Sequence, residues 1–346
     1  MTEVAEVPFA GDQASIKGVP TRKRVFSGIQ PSGTLHIGNY LGAIRNWVED
    51  QDKYDNIFCI VDLHAITVPH EPSELQKRIR DAAALYLASG IDPERSAVFV
   101  QSHVHEHAEL TWILNCYTPM GWLNRMTQFK SKAGAEQERA SVGLYDYPVL
   151  MASDILLYHA HLVPVGEDQR QHIELTRDLA GRFNSLFGET FTLPEALIRE
   201  TGARIMSLTD PERKMSKSDE PASYIALLDP PEVIRKKVAR ATTDSLRSIE
   251  FDPSRPGIFN LLTIYQLLSG DSPERIVQHF AGKGYREFKA ELADVIIAAL
   301  EPLQRRYAEL MREPAYLDEV LRKGADRVRP IAAQTLQAVM HRVGLR

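Results

Sequence analysis

Phe26-Ser-Gly-Ile-Gln-Pro-Ser-Gly-Thr-Leu-His-Ile-Gly-Asn-Tyr40 reads as a strand end, a tight turn bearing glycine and proline, and the start of a helix. Counted from Leu35, the apolar residues Ile37, Tyr40, Leu41, Ile44, Trp47 and Val48 recur at helical spacing and form one stripe for packing on a core. Gly38, Asn39 and Gly42 fall on the opposite side. An interior glycine costs a helix about 1 kcal/mol against alanine. Two of them need a reason, and the usual one is a group that must approach the backbone closely. Strand, turn and glycine-bearing helix start are the setting for a bound phosphate or nucleotide.

The flanking sequence extends this into an alternation. Lys23 to Ile29 is predicted as strand one, Thr34 to about Asp50 as helix one, and Asn56 to Val61 as a second strand. That second strand is apolar throughout, as expected when both faces of a parallel sheet are covered. Ser73 is a predicted cap for a helix carrying Leu75, Ile79, Ala83, Tyr86 and Leu87 and closing at Gly90. Ser96 to Gln101 is the third strand. The pattern β-α-β-α-β defines an α/β fold with a doubly wound parallel sheet. Ligands of such sheets sit beyond the carboxyl ends of the strands, where Gln30, His64 and Ser102 fall.

From about residue 103 to 165 the alternation is interrupted. Helices around Leu110 to Cys116 and Pro148 to His159 flank the polar loop Lys130-Ser-Lys-Ala-Gly-Ala-Glu136, an inserted helical segment. A short strand at His161 to Val165, a helix at Gln169 to Phe183 and a last strand at Ala203 to Leu208 are predicted to complete the sheet. From about Pro231 only amphipathic helices follow: Val233 to Arg240, Asn260 to Leu268, Ser272 to Phe280, Tyr285 to Met311 and Tyr316 to His341. The expected division is a flexible extension at 1–22, a sheet domain at 23–210 with its insertion at about 103–165, a loop at 211–222, and a helical domain at 223–346.

Bulk properties narrow the function. A formal net charge of -5 excludes a general polyanion binder and confines any nucleic-acid contact to local basic patches. Two cysteines, Cys59 and Cys116, make neither a disulfide framework nor a zinc motif, which fits a reducing compartment. No apolar run reaches membrane-spanning length, and the acidic residues Glu3, Glu6 and Asp12 argue against a transit peptide.

Four motifs carry chemistry. Gly33-Thr-Leu-His-Ile-Gly38 has P-loop glycine spacing, but Asn39 and Tyr40 stand where the lysine and hydroxyl residue belong, so a Walker reading fails. Arg213-Lys-Met-Ser-Lys-Ser218 offers cations and hydroxyls on a loop after the last predicted strand, suited either to closing on a triphosphate or to a solvated linker. Asp154 lies in the apolar run Pro148-Val-Leu-Met-Ala-Ser-Asp-Ile-Leu-Leu-Tyr158 and shares a helix face with Met151 and Ile155. A carboxylate there is costly to bury without a donor, and an indole N–H, which only donates, is a fitting one. Gly166-Glu-Asp168 at a helix start suits ribose hydroxyls or a plain helix cap. The alternating histidines of His103-Val-His-Glu-His107 read as a polar loop rather than a metal site.

The histidine-isoleucine-glycine helix start, taken with Lys214-Met-Ser-Lys-Ser218, resembles the two signatures of class I aminoacyl-tRNA synthetases, with Asn39 in place of the usual final histidine. Phe26 to Gly33, Val61-Asp-Leu-His-Ala-Ile-Thr67, Arg125-Met-Thr-Gln-Phe-Lys130 and Val165-Gly-Glu-Asp-Gln-Arg-Gln-His-Ile-Glu-Leu-Thr-Arg-Asp178 are similar to the bacterial tryptophanyl-tRNA synthetases, and the likeness runs through residues 24–346. The resemblance implies a Rossmann-like catalytic domain, an insertion forming a homodimer interface, and a C-terminal helical domain that binds the tRNA anticodon. It implies a cytoplasmic ligase acting on L-tryptophan, ATP with Mg²⁺, and tRNA(Trp), with no membrane partner and no zinc.

Carried over by residue, the catalytic groups implied are Lys214, Lys217, Ser218, Lys130 and Asn39, with Lys132 beside Lys130. ATP would meet Gln30, Pro31, Ser32, Gly38, Asn39, Gly166, Glu167, Asp168, the backbone of Ile205, and the loop residues Lys214, Met215, Ser216, Lys217 and Ser218. Asp154 would take the tryptophan ring nitrogen, with Phe26, Tyr147, Met151, Ile155, Val163 and Val165 as walls. Gln30, His64, Tyr147 and Gln169 would face the amino acid's polar end. A tyrosyl-tRNA synthetase and a non-catalytic, RNA- or tryptophan-binding paralogue are the alternatives.

Overall fold

The computed structural model describes residues 22–31, 35–126, 140–198, 204–217 and 219–345. The predicted extension lies outside them apart from its last residue, as do Ser32, Lys130, Lys132, Ser218 and the Asp168 side chain. Five strands, β1 (Arg24–Ile29), β2 (Asp55–Ile60), β3 (Ala97–Val100), β4 (Leu162–Pro164) and β5 (Glu195–Leu197), form one parallel sheet in the order β3-β2-β1-β4-β5. The order reverses between β1 and β4, and in open α/β sheets that switch point is where a ligand crevice opens.

Alternate residues of the buried strands serve two cores. Phe26, Ile57, Cys59 and Phe99 pack with the inserted helices Glu106–Tyr117 and Val142–Leu156 and with the helix Arg170–Phe187. Phe58, Ile60, Val98 and Val100 pack on the opposite face with Ala82, Ala83 and Tyr86 of the helix Pro72–Ala88. This is the two-faced burial that the apolar runs of β2 and β3 require. The opening helix belongs to a third core. Leu35, Ile37, Leu41 and Ile44 are buried with Ile205, Leu208 and Met215 and with Leu261 and Leu262 of the helix Pro256–Ser269.

Three elements differ from expectation. The last strand is Glu195–Leu197, not Ala203 to Leu208. Ala203 lies outside the described residues, and Ile205 and Leu208 spend their apolar surface on the helical region instead of on the sheet. Met206 makes an isolated antiparallel bridge to Lys214, so this segment is one arm of a hairpin that carries the lysine loop. Second, helix one is interrupted: Ile37–Asn39 and Arg45–Glu49 are α-helical and Tyr40–Ile44 between them is a π turn. Third, the helix bearing Asp154 starts at Val142 rather than Pro148, because Ser141 Oγ accepts the Leu144 N–H at 3.1 Å and caps it.

The final helix, Pro314–Arg342, lies against the sheet. Leu321 joins one face's core and Ala325, Val328, Ala332 and Leu336 the other's, so the helix runs along edge strand β3. A strand edge left bare invites pairing with other chains. The approach is close enough that a methyl group at Gly324 would sit 1.9 Å from the Val98 carbonyl oxygen. Alanine in a helix interior normally gains about 1 kcal/mol over glycine, whereas overpacking costs roughly 1–3 kcal/mol or more. Here the obstacle is backbone, so the clash wins. Gly324→Ala should lower unfolding free energy by about 2 kcal/mol or more in a urea titration; a neutral or stabilising result would show that the helix does not seat on β3 this closely.

Candidate active site

The carboxyl ends of the strands bring the predicted residues together in two groups. The first surrounds Asp154, which is 1 % exposed. His64 lies in the short turn Asp62–Ala65 just past β2, and its Nε2–H donates to Asp154 Oδ2 at 2.8 Å. Gln101, directly after β3, donates from Nε2 to Asp154 Oδ1 at 2.6 Å. Its Oε1 accepts the Leu63 N–H at 3.1 Å, so one amide ties the ends of β2 and β3 to the inserted helix. His107 Nδ1–H donates to the same Oδ1 at 2.6 Å, and its Nε2 lies 2.7 Å from the Tyr158 hydroxyl. Burial pushes the Asp154 pKa up, but the hydrogen bonds from His107 and His64 more than offset it and hold the carboxyl below its ordinary value.

Aromatic rings pack against the donors of this carboxylate. Phe26 stacks on Tyr158 with centroids 5.7 Å apart, and Tyr147 meets His64 edge-on at 6.2 Å. The Tyr147 hydroxyl lies 2.9 Å from His172 Nε2, and burial pushes its pKa up to about 12. Ile155 and Val163 are buried, while Met151 and Val165 pack against the same core half-exposed. Gln30 is exposed at the end of β1, Pro31 beside it is buried, and Gln169 is half-buried at the start of the helix that follows β4.

The second group is cationic. His36 is buried, and its ring lies against Gly38: a methyl at Gly38 would meet His36 Nδ1 at 3.0 Å and Ile205 Cβ at 3.5 Å. That contact gives the helix-interior glycine its reason. Asn39 Oδ1 accepts the His36 N–H at 3.1 Å and so caps its own helix. Burial, then the positive charges of Lys217 and Lys214, lower the His36 pKa to about 4. The lysine loop and the opening motif are therefore neighbours despite their separation in sequence. Backbone pairing holds them there: Ile37 N–H donates to Ile225 O and Leu227 N–H to Leu35 O, both at 2.9 Å. Met215 is buried, and its N–H bonds to Ile205 O at 3.0 Å, which anchors the loop from beneath. Surrounding protein, then the Arg78 guanidinium, lower the Lys217 pKa from its ordinary value. His36 Nδ1 is buried and accepts or donates no hydrogen bond among the described residues. In the tautomer that places the proton on it, this buried ring nitrogen beside two lysines can donate to an anionic oxygen.

Other predicted contacts are arranged differently. Glu167 is exposed and ion-paired with Arg170 at 2.7 Å, so its carboxylate is held by its own helix. His107 is not part of a polar loop. It sits in the first turn of Glu106–Tyr117, fully buried. The signal was present, since His107 shares a helix face with Leu110 and Leu114 at three and seven residues' spacing. Gln101 and Tyr158 carry no comparable local signal, because their contacts to the site span 53 and 51 residues.

A doubly wound sheet with this paired site is that of a class I tRNA synthetase. The family described as tRNA synthetases class I (W and Y) matches residues 20–301, and the chain belongs to it. Within the family it is 57 % identical over 324 residues to the tryptophan–tRNA ligase of Gloeobacter violaceus, covering 93 % of this chain and 96 % of that one. It is 55 % identical over 325 residues to that of Wolinella succinogenes, covering 94 % and 99 %. The tryptophanyl-tRNA synthetase of Campylobacter jejuni, solved in complex with ADP and tryptophan, superposes with a TM-score of 0.83 at 38 % identity over 93 % of this chain and 100 % of that one. A tyrosyl-tRNA synthetase from Archaeoglobus fulgidus shares the fold, at a TM-score of 0.65 and 20 % identity over 84 % of this chain and 91 % of that one.

The depressed His36 pKa has a stability consequence. An unfolded histidine takes a proton near pH 6.5, whereas folded His36 takes one only near pH 4. Between those values the unfolded chain binds more protons, so stability rises with pH through the window and falls on acidification. The contribution reaches at most about 3 kcal/mol. His36→Gln should flatten that part of the pH dependence of denaturant unfolding; an unchanged slope between pH 4 and 6.5 would contradict it.

Proposed function

We propose that this chain joins L-tryptophan to tRNA(Trp). It first activates the amino acid with ATP to tryptophanyl-adenylate, then transfers it to the 3′ end of the tRNA. Long, near-complete similarity to tryptophan–tRNA ligases supports this reading, and the observation that carries it is the buried, donor-lined Asp154 facing aromatic rings. A phenylalanine ring has no donor to offer such an acceptor-only group, and a tyrosine ring is set apart by its shape and by a hydroxyl displaced from the indole N–H position. The resemblance to tyrosyl-tRNA synthetase at 20 % identity speaks to fold alone.

The tryptophan carboxylate attacks the α-phosphorus of ATP in line and pyrophosphate leaves. The protein's task in such a step is positioning and charge stabilisation. Asp154 holds the indole N–H, with His64 bound to it at that end, Phe26, Tyr147, Met151, Ile155, Val163 and Val165 around the ring, and Gln30 and Gln169 toward the reacting end. Gly38 and the Ile205 backbone leave room for adenosine, and Lys214 and Lys217 bear on the phosphates. These lysines form a cationic face suited to them, with the neutral His36 ring beside it. Mg²⁺, when bound, would share the triphosphate's charge, held mainly by phosphate and water oxygens.

The helical region at 223–346 contacts the tRNA anticodon in this reading. Arg235, Lys237, Arg306, Arg322 and Arg329 there are ion-paired with Asp294, Asp229, Glu309, Glu319 and Asp326, so the assignment rests on family membership rather than on those basic runs. The enzyme acts as a cytoplasmic homodimer through its insertion. Trp112, Met120 and Val142 on that segment are 72 %, 63 % and 80 % exposed, an apolar surface of the kind subunit contacts cover. No helix among the described residues is long and apolar enough to cross a membrane.

The test is amino-acid-dependent exchange of labelled pyrophosphate into ATP. Exchange should appear with tryptophan and stay at background with tyrosine and phenylalanine. Exchange with tyrosine, or the failure of every amino acid to support exchange at saturating Mg²⁺, would overturn the reading.

A further inference from the structure

We infer that Tyr158 and His107, together with Gln101, are positioning residues that set selectivity for the indole N–H. The inference rests on the reading of Asp154 as the group that accepts it. A carboxylate has about four acceptor positions. Gln101 and His107 occupy two on Oδ1, both at 2.6 Å, and His64 takes one on Oδ2 at 2.8 Å. Three donors from three different elements fix the plane of the group. The remaining position is on Oδ2, the oxygen that His64 binds, and the His64 ring in turn meets Tyr147 edge-on.

The orientation of His107 is not left to Asp154 alone. A carboxylate only accepts, so Nδ1 must carry the proton. In the neutral ring Nε2 is then an acceptor, and the Tyr158 hydroxyl 2.7 Å away donates to it. Tyr158–OH to His107 to Asp154 is thus a one-way chain that selects the tautomer. Without the hydroxyl, Nε2 loses its donor and the Asp154 hydrogen bond alone holds the tautomer and the orientation of the ring. Gln101 is likewise prevented from flipping by the Leu63 N–H on its Oε1 at 3.1 Å. The Tyr158 ring itself packs on Phe26 at 5.7 Å and Phe99 at 5.9 Å, so removing only its hydroxyl leaves the packing in place.

A structural role would support all amino-acid substrates equally, whereas a positioning role favours the one with an N–H. The experiment compares wild type, Tyr158→Phe, His107→Leu and His107→Asn in pyrophosphate exchange with tryptophan and with β-(3-benzothienyl)alanine, in which sulfur replaces the N–H. It also reads the KM for ATP. Wild type should prefer tryptophan in kcat/KM by roughly 10- to 100-fold, the strength of one hydrogen bond to a charged group. Tyr158→Phe and His107→Leu should narrow that preference by about tenfold, with the loss confined to tryptophan and the KM for ATP within about twofold. His107→Asn, which keeps a donor near the Nδ1 position, should retain most of it. Variants that keep the full preference, or lose both amino acids in equal measure, overturn the positioning role. A wild type that activates tryptophan without preferring it over the sulfur isostere overturns the reading of Asp154 itself. Should His107→Leu not fold, Tyr158→Phe decides.

Discussion

A carboxylate taken fully out of water must be surrounded by donors, and the arrangement of this molecule around Asp154 follows from that constraint. The donors come from the turn after β2, the residue after β3 and the first turn of an inserted helix, while Asp154 itself sits on another inserted helix. Meeting the constraint therefore fixes the insertion onto the carboxyl ends of the strands. Replacing any donor leaves a charge that is buried and under-solvated, a costlier state than an apolar site of the same size. The same geometry makes an acceptor-only wall for an aromatic ring that carries an N–H.

The other half of the site obeys the opposite constraint. Lys214, Lys217 and Arg78 lie near one another and near a buried neutral histidine, with Lys217 and His36 both lowered in pKa by burial and by neighbouring cations. Like charges brought together this way are relieved when polyanionic phosphate arrives. The loop that carries Lys214 and Lys217 is bolted on two sides. Met206 exchanges hydrogen bonds of 2.9 Å with the Asn260 side chain, and the Thr242 N–H donates to Leu208 O at 2.7 Å. Leu35 to Ile37 of the opening motif pair with residues 225–227. The phosphate side of the site is thus tied to the helical region, and the amino-acid side to the sheet and its insertion.

Much of this was legible in the sequence. The apolar runs of β1 to β4 and the amphipathic helices after Pro231 announce themselves by periodicity, because burial on a known number of faces dictates the spacing of apolar residues. The last strand did not, since Glu195–Leu197 is three residues long and begins with a charge. The apolar segment beside it, Ile205 to Leu208, imitated a strand because burial in a helical core asks for the same residues. The π turn at Tyr40–Ile44 was hidden because its side chains keep a helix-like apolar spacing. At the site, Asp154 stood out as a charge in an apolar run, but its partners did not. Gln101 and Tyr158 are ordinary residues at a strand end and in a turn, made important only by contacts across the fold. His107 was misread because two exposed or partly exposed neighbours, His103 and His105, made the whole stretch look solvated.

The central claim is that a buried, ionised Asp154 accepts the indole N–H of bound tryptophan. The most direct measurement is proton–nitrogen NMR of indole-¹⁵N tryptophan bound to the protein. The account predicts a single bound N–H resonance, moved downfield from free tryptophan and slow to exchange with solvent, that returns toward the free position in Asp154→Ala. A bound indole N–H at the free chemical shift, exchanging as fast as in water, would contradict it.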